Sequence, residues 1–441
     1  MVSISSTTVC QWSVVNTVKY RYSGSVADYL DRLVDPLVSD LLTELPALAL
    51  VGPRGSGKTT TAQRHARTVI RLDRPAEALP VAADPDTAIE GLVEPVLLDE
   101  WQEVPQVLGA VKRACDTEPR PGRFILTGSI QAEVETETWP GTGRVTRTAV
   151  YPMTVGERLG LPEVPLVDRI ARGELATSRD QGSTVTANPN LRDYVEQSVR
   201  GGFPQAALHL SERARRSWLD TYIEEIVTRD SRIAGDRYDD ARLARFFEAY
   251  ALNSAGITDD ATLCEAAGIN RRTVLRYLYL LNRLHIIDEL PAWTSNRLKR
   301  LSLAPKRFLV DPSLLASVTG TTSQTAMRDG NLLGRLLETM VVAQLRAQAT
   351  VSEHRCRLYH LRQHHGRHEI DVIAELDSQH LVAFEIKATA APSRNDTRHL
   401  TWLRDNVGDQ LLAGVVLHTG PSAFALSDRI WALPINTLWQ G

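Results

Sequence analysis

Two stretches of this 441-residue chain carry residue types at spacings that could do chemistry. The first is Gly52-Pro53-Arg54-Gly55-Ser56-Gly57-Lys58-Thr59-Thr60, which fits the pattern GxxxxGK(S/T). Glycines at these places let backbone N–H groups turn inward and cradle phosphate oxygens at a helix N-terminus. Lys58 then reaches the β- and γ-phosphates, and the Thr59 hydroxyl is placed to ligate Mg²⁺. Such a site needs a buried strand that ends in acid, and Pro95-Val96-Leu97-Leu98-Asp99-Glu100 supplies it. Asp99 is expected to hold Mg²⁺, and Glu100 to polarise the attacking water. A third strand, Phe124-Ile125-Leu126-Thr127-Gly128-Ser129, ends in small polar residues. Thr127 or Ser129 could sense the γ-phosphate; Ser129 is preferred because it lies nearer the strand end.

The second stretch is C-terminal. Asp371 lies early in the strand-like run HEIDVIAEL, and Glu385 and Lys387 form Glu-x-Lys in LVAFEIKAT. Period-two alternation puts Glu385 and Lys387 on one face of a strand. If Asp377-Ser378-Gln379 closes a three-residue hairpin loop, Leu376 pairs with His380 and Asp371 stands opposite Glu385. Ile370, Val372, Phe384 and Ile386 then point away. Like charges facing each other across a sheet are destabilising, and a divalent cation with oxygen ligands is the natural compensation. His360, His364, His365 and His368 cluster just upstream at irregular spacing. They read as a solvated loop, with His368 close enough to assist.

The elements that must position these residues follow from periodicity. Ala47–Gly52 reads as a short buried strand, with further strands at 95–98 and 123–127 and helical patterns between them. Alternating strands and helices predict a parallel sheet with crossovers. Apolar residues from Val26 to Leu42 recur at helical spacing. Between about 156 and 240 the pattern is helical, with loop material near 176–192, and 241–290 reads as short helices. A strand is expected at 306–310, a helix at 332–348, strands at 369–375, 380–387 and 411–418, and a helix at 396–407.

Ala261 to Leu281 resembles a helix-turn-helix, turning at Gly268, with Arg271, Arg272 and Arg276 on its second helix. From 268 to 300, Arg271, Arg272, Arg276, Arg283, Arg297, Lys299 and Arg300 face only Asp288 and Glu289, a net of +5. Such a face suits contact with the phosphates of DNA, or packing against the rest of the chain.

The segments GPRGSGKTT, LLDEWQEVPQ, GRFILTGS, GTGR and YPMTVGE resemble, in order and spacing, the AAA-type ATPases fused to a C-terminal domain of unknown function. The resemblance covers most of the chain. It implies a P-loop (Walker A) ATPase with Lys58, Thr59, Asp99 and Glu100 in the roles given above, using ATP and Mg²⁺. Gln102 and Arg144 fall in recurrent motifs of that family, and Arg144 or Arg147 could act as an arginine finger across a subunit interface in a homo-oligomer. Gly201-Gly202-Phe203-Pro204 and 218–230 also match the family pattern and read as structural. The C-terminal stretch resembles the PD-(D/E)xK nuclease core. That implies Glu338, Asp371 and Glu385 as ligands of Mg²⁺ or Mn²⁺, and Lys387 orienting or activating water.

The expected fold is therefore α/β and multidomain. A P-loop AAA-type parallel-sheet domain spans 1–155 and a helical lid 156–240. A winged-helix-like module spans 241–320, and a restriction-endonuclease-like α/β domain 321–441. Composition agrees: hydrophobic residues make up 43% and charged residues 23%, which excludes a disordered or fibrous chain. The formal charge is −3, so nucleic-acid contact needs a local basic patch. No apolar run approaches the ~18 residues of a membrane span, and no signal peptide is read. Cys10, Cys115, Cys264 and Cys356 are scattered without CxxC spacing, so a reducing cytoplasm is the expected compartment. Only six of the 50 basic residues are lysine, which singles out Lys58 and Lys387 as places where a compact charge is needed. The function expected is an ATPase acting on DNA. The alternatives are a nucleotide-gated switch with an inert nuclease-like tail, or a toxin or defence effector.

Overall fold

A computed structural model describes residues 29–128, 143–175, 189–230, 239–363 and 366–440. The first sheet is built from β1 (Ala47–Val51), β2 (Thr68–Arg71), β3 (Val96–Asp99), β4 (Phe124–Thr127) and β5 (Val145–Ala149). All its pairings are parallel, in the order β2-β3-β4-β1-β5. The central strands are apolar on both faces because helices cover both. Ala47 and Ala49 pack into one cluster with Val96, Leu98, Phe124 and Leu126. Leu48 and Leu50 pack into another with Leu97 and Ile125. The short strands β2 and β5, absent from the sequence reading, lie at the two edges and are less buried.

The expected helix over 26–42 is shorter than its apolar pattern. It runs Asp35–Glu44, and Pro36 sits in its first turn. Proline is tolerated there because its missing N–H would have no helical partner, so it marks where the helix starts.

A series of helices follows, including Val155–Leu159, Leu166–Ala171, Leu191–Arg200, Pro204–His209 and Glu212–Glu225. Next come helices Asp240–Leu252, Asp260–Ala267 and Arg271–Arg283, then β6 (Ile287–Leu290) and β7 (Lys306–Leu309), an antiparallel pair. The last section begins with helix Gly330–Val351. Its sheet comprises β8 (Cys356–Gln363), β9 (His368–Leu376), β10 (His380–Ile386), β11 (Leu411–His418), β12 (Phe424–Ser427) and β13 (Ile430–Pro434). The strand order is β12-β13-β11-β10-β9-β8. Helix Gly330–Val351 packs on one face beside Val372 and Phe384. Helix Arg398–Val407 packs on the other beside Ile373 and Ala383.

One apolar cluster runs from Val155 to Trp439 with no break at 240 or 320. Two glutamines tie its ends together. Gln344 Oε1 accepts from the Val155 N–H at 2.7 Å, and Gln348 Oε1 from the Leu166 N–H at 3.1 Å. Both amides start short helices, where backbone donors have no helical partner.

The C-terminal hairpin turns as expected. Leu376 pairs with His380, and Asp377 and Ser378 take left-handed φ values of 51° and 62°. The expected shared face of Ile370, Val372 and Phe384 is not observed. A register shift between Tyr359 and Leu361 on β8 changes the parity of β9. Ile370 therefore packs beside Ile373, on the side opposite Val372.

Candidate functional site

The loop after β1 adopts the conformation its glycines permit. Gly52 has φ 154°, and a Cβ there would lie 2.2 Å from the Val150 carbonyl oxygen. Gly57 caps helix Lys58–His65 at φ 95°, a left-handed conformation that side chains resist. Lys58 opens that helix. Its ammonium is buried and donates to the carbonyls of Gly52 at 3.0 Å and Pro53 at 2.9 Å. Burial brings its pKa down to about 8, against the pull of Glu100 and Asp99. Ser56 Oγ is buried, with no protein hydrogen-bond partner among the described residues.

Thr59 Oγ1 donates to Asp99 Oδ1 at 2.8 Å, and Thr127 Oγ1 donates to the same oxygen at 2.5 Å. Burial raises the Asp99 pKa, and the two hydroxyl donors oppose that rise. The donor set fits Mg²⁺: a hydroxyl and a carboxylate, both hard oxygens, already share one position beside the loop. Glu100 follows Asp99 in a left-handed turn, φ 52°, and accepts from Gln102 Nε2. Of the two sensor candidates, Thr127 meets Asp99, and Ser129 lies outside the described residues. Arg54 and Thr60 are exposed, while Pro53 and Ser56 are buried. Arg144 is exposed and bonds Asp116 within its own chain at 2.8 Å. Arg147 is exposed on β5.

Sequence reasoning missed the groups that hold the loop from outside. Arg32 is buried. Its Nε pairs with Glu157 Oε1 at 3.1 Å, Nη1 donates to the Ser56 carbonyl at 2.9 Å, and Nη2 to the Tyr151 carbonyl at 2.7 Å. Glu157 is itself fixed by a capping box with Thr154. The Thr-x-x-Glu spacing at 154–157 was the available signal. From helix Glu212–Glu225, Tyr222 Oη donates to the Arg54 carbonyl at 2.9 Å, and Trp218 stacks on Tyr222 at 5.1 Å.

The C-terminal acids come together with a partner that the sequence reading did not contain. Lys306, on β7, pairs with Asp371 Oδ1 at 3.0 Å and with Glu338 Oε1. Lys387 pairs with Glu385 Oε2 at 2.9 Å. Asp371 does not face Glu385 in the ladder, which ends at Phe384–Val372; its Oδ2 accepts the Ile386 N–H at 2.9 Å. A lysine ammonium thus stands where a divalent cation was expected. No group of three His, Cys, Asp or Glu side chains able to hold a metal occurs among the described residues. The expected ligand set of Glu338, Asp371 and Glu385 does not fit a metal as it stands, because an internal cation already binds two of the three. Three acids face two lysines, and burial, with Asp371 nearby, brings both Glu338 and Glu385 up to about 8. Burial also favours the neutral form of Lys306, but Asp371 and Glu338 outweigh it and hold its pKa above the ordinary value.

The histidines are not a solvated loop throughout. His360 is buried on β8 and donates through Nε2 to the Ala304 carbonyl at 3.1 Å. His368 stacks on Trp402 at 4.1 Å. His364 and His365 lie outside the described residues. In the basic stretch, Arg271, Arg272 and Arg276 are exposed. Arg300 is withdrawn from the expected phosphate-contacting face, because it forms a two-bond pair with Glu375 at 2.9 and 3.1 Å.

Residues 44–159 match a family model described as AAA domain. Residues 191–325 and 333–438 match two domains of unknown function, DUF8612 and DUF4143. Two uncharacterized proteins, from Mycobacterium bovis and Mycobacterium tuberculosis, are each 26% identical over 404 residues, covering 90% of this chain and 82% of the relative. Among solved structures, the chain is similar to a Walker-type ATPase of Pyrococcus abyssi. The TM-score is 0.42 at 15% identity, over 67% of this chain and 97% of that one. The AAA match spans the glycine loop and the Asp99–Glu100 strand. No helix among the described residues is long and apolar enough to cross a membrane.

Arg32 yields a first test. Arg32→Met removes the partner of a buried carboxylate, which costs about 3–5 kcal/mol, and should lower the melting midpoint by several degrees. Arg32→Lys should not restore it, because an ammonium lacks the guanidinium fork that reaches three acceptors. A lysine variant melting like wild type would refute this account of the contact.

Proposed function

We propose that this protein is a Mg²⁺-dependent ATPase whose nucleotide cycle controls contact with DNA through the central basic helix. The observation that carries the reading is that Thr59 and Thr127 meet on Asp99 Oδ1 beside a glycine loop whose own carbonyls hold the buried Lys58. Lys58 donates its hydrogen bonds to the neutral carbonyls of Gly52 and Pro53. Exchanging these for phosphate oxygens replaces dipoles with full charges, so the ammonium is poised to leave. Thr59 and Asp99 would hold Mg²⁺, which would supply positive charge to the phosphates. Glu100 sits one residue beyond Asp99 and orients water for attack, steadied by Gln102. Arg144 or Arg147 from a second copy would supply positive charge to the γ-phosphate in a homo-oligomer.

Two variants test the site. Lys58→Ala should reduce ATP turnover at least 100-fold. Glu100→Gln should keep nucleotide binding while losing turnover to a similar degree. Wild-type turnover by purified Lys58→Ala protein would end the assignment.

DNA contact is supported by the exposed row Arg271, Arg272 and Arg276 on a helix that follows a tight turn at Gly268. Replacing all three with Ala should weaken duplex binding and flatten the dependence of log K on log salt, by roughly one unit of slope per lost phosphate contact. An unchanged slope would return this helix to a packing role.

For the C-terminal sheet, the Lys306 pairings favour the reading of an inert nuclease-like tail over metal-dependent cleavage. Purified protein is expected not to nick supercoiled plasmid in Mg²⁺ or Mn²⁺, with or without ATP. Nicking that disappears in Asp371→Ala or Lys387→Ala would reinstate hydrolysis.

A further inference from the structure

The ATPase reading places the phosphates but not the nucleoside, and the sheet order limits where it can go. Asp99 and Thr127 end β3 and β4, which lie to one side of β1 and its loop. The hydrolysed end of the nucleotide points to that side, so the nucleoside leaves towards β5. A cavity of about 340 Å³ opens there, within the usual size of a small-ligand site. Gly52 and Pro53 of the loop, with Val150 just after β5, form its near wall. The far wall comes from the end of helix Arg271–Arg283 and includes Tyr279, Asn282 and His285.

His285 takes a left-handed conformation, φ 55°. The helix end closes on it with His285 N–H donating to Asn282 O at 2.9 Å and Ile286 N–H to Leu281 O at 3.0 Å. Glycine is the usual residue at such a position, and a histidine there costs backbone strain. The hydrogen-bonded helix end offsets that cost and places the imidazole at the cavity shared with Gly52 and Pro53. Burial, then the charges of Lys58 and Arg147, brings its pKa down to about 4, so the ring is a neutral donor and acceptor.

We propose that this cavity binds the adenine nucleoside half of the nucleotide, with Asn282 and His285 as its polar contacts. The inference rests on the ATPase reading and adds to it that the ligand is gripped by two separate parts of the chain. An amide supplies a donor and an acceptor side by side, as a base edge requires. Val150 and Pro53 supply an apolar wall and Tyr279 an aromatic one. A larger cavity, about 500 Å³, is lined by Asp35, Arg64 and His65. Its lining is mostly charged, and it includes Arg32, which is already engaged with the Ser56 carbonyl and Glu157. The chosen cavity also joins the nucleotide to the helix that carries Arg271, Arg272 and Arg276, so occupancy would bear directly on the basic face.

The test compares ATP with inorganic tripolyphosphate, which has no nucleoside, by calorimetric titration of the full chain. In Asn282→Ala/His285→Gly, ATP should bind at least tenfold more weakly, and tripolyphosphate as in wild type. In Lys58→Ala, both should weaken. Unchanged ATP affinity in the double variant, or equal loss for both ligands, overturns the cavity assignment. Lys58→Ala without effect on either ligand overturns the ATPase reading instead. Intact tripolyphosphate binding shows that the double variant is folded. An independent measurement needs no variant: 8-azido-ATP should label the peptide containing Tyr279 and Asn282 in wild-type protein. Label confined to the peptides of Asp35 or His65 overturns the proposal.

Discussion

Asp99 Oδ1 accepts two hydroxyl hydrogen bonds from elements far apart in sequence: Thr59 on the helix after the loop and Thr127 at the end of β4. A buried carboxylate without partners would take up a proton. Two donors oppose that tendency and tie the loop helix to the sheet. The strands that allow this are apolar on both faces, and parallel pairing aligns their C-terminal ends at one edge. The meeting of Thr59, Thr127 and Asp99 beside the glycine loop is thus a consequence of the sheet, and the loop motif is only its visible part.

Outside that point, the loop is held by segments that lie beyond it in both directions. Arg32 precedes β1 and reaches Ser56, Tyr151 and Glu157. Tyr222 comes from a helix well downstream and holds Arg54. The apolar cluster from Val155 to Trp439 joins the helices behind these contacts to the C-terminal sheet. A strain introduced at the loop therefore meets packed structure contributed from both directions along the chain.

Two buried lysines show how environment divides similar side chains. Lys58 is surrounded by carbonyls, so burial dominates and its pKa falls to about 8. Lys306 is surrounded by carboxylates, which outweigh burial and hold its charge in place. The first rests on neutral partners. The second is committed, because removing it would leave buried acids facing one another. The low lysine content of the chain pointed to Lys58 through its motif, whereas Lys306 sits in a plain strand with no motif around it.

The glycine loop, the strands β1, β3 and β4, the helix beginning near residue 330 and the hairpin register at Leu376–His380 were all legible in the sequence. Each depends on local rules: the conformations glycine allows, the burial of apolar runs, and the length of a turn. The edge strands β2 and β5, the true start of the first helix at Asp35, the reversed side of Ile370, the withdrawal of Arg300 to Glu375 and the arrival of Lys306 among the C-terminal acids were not. Those depend on which distant segments meet, and periodicity carries no information about a partner. The sequence by itself determined the glycine loop and the acid-ended strand that stands beside it. Only the tertiary structure decided that the C-terminal acids would face a lysine, since a charge brought in from another element leaves no trace in the spacing of the residues it pairs with.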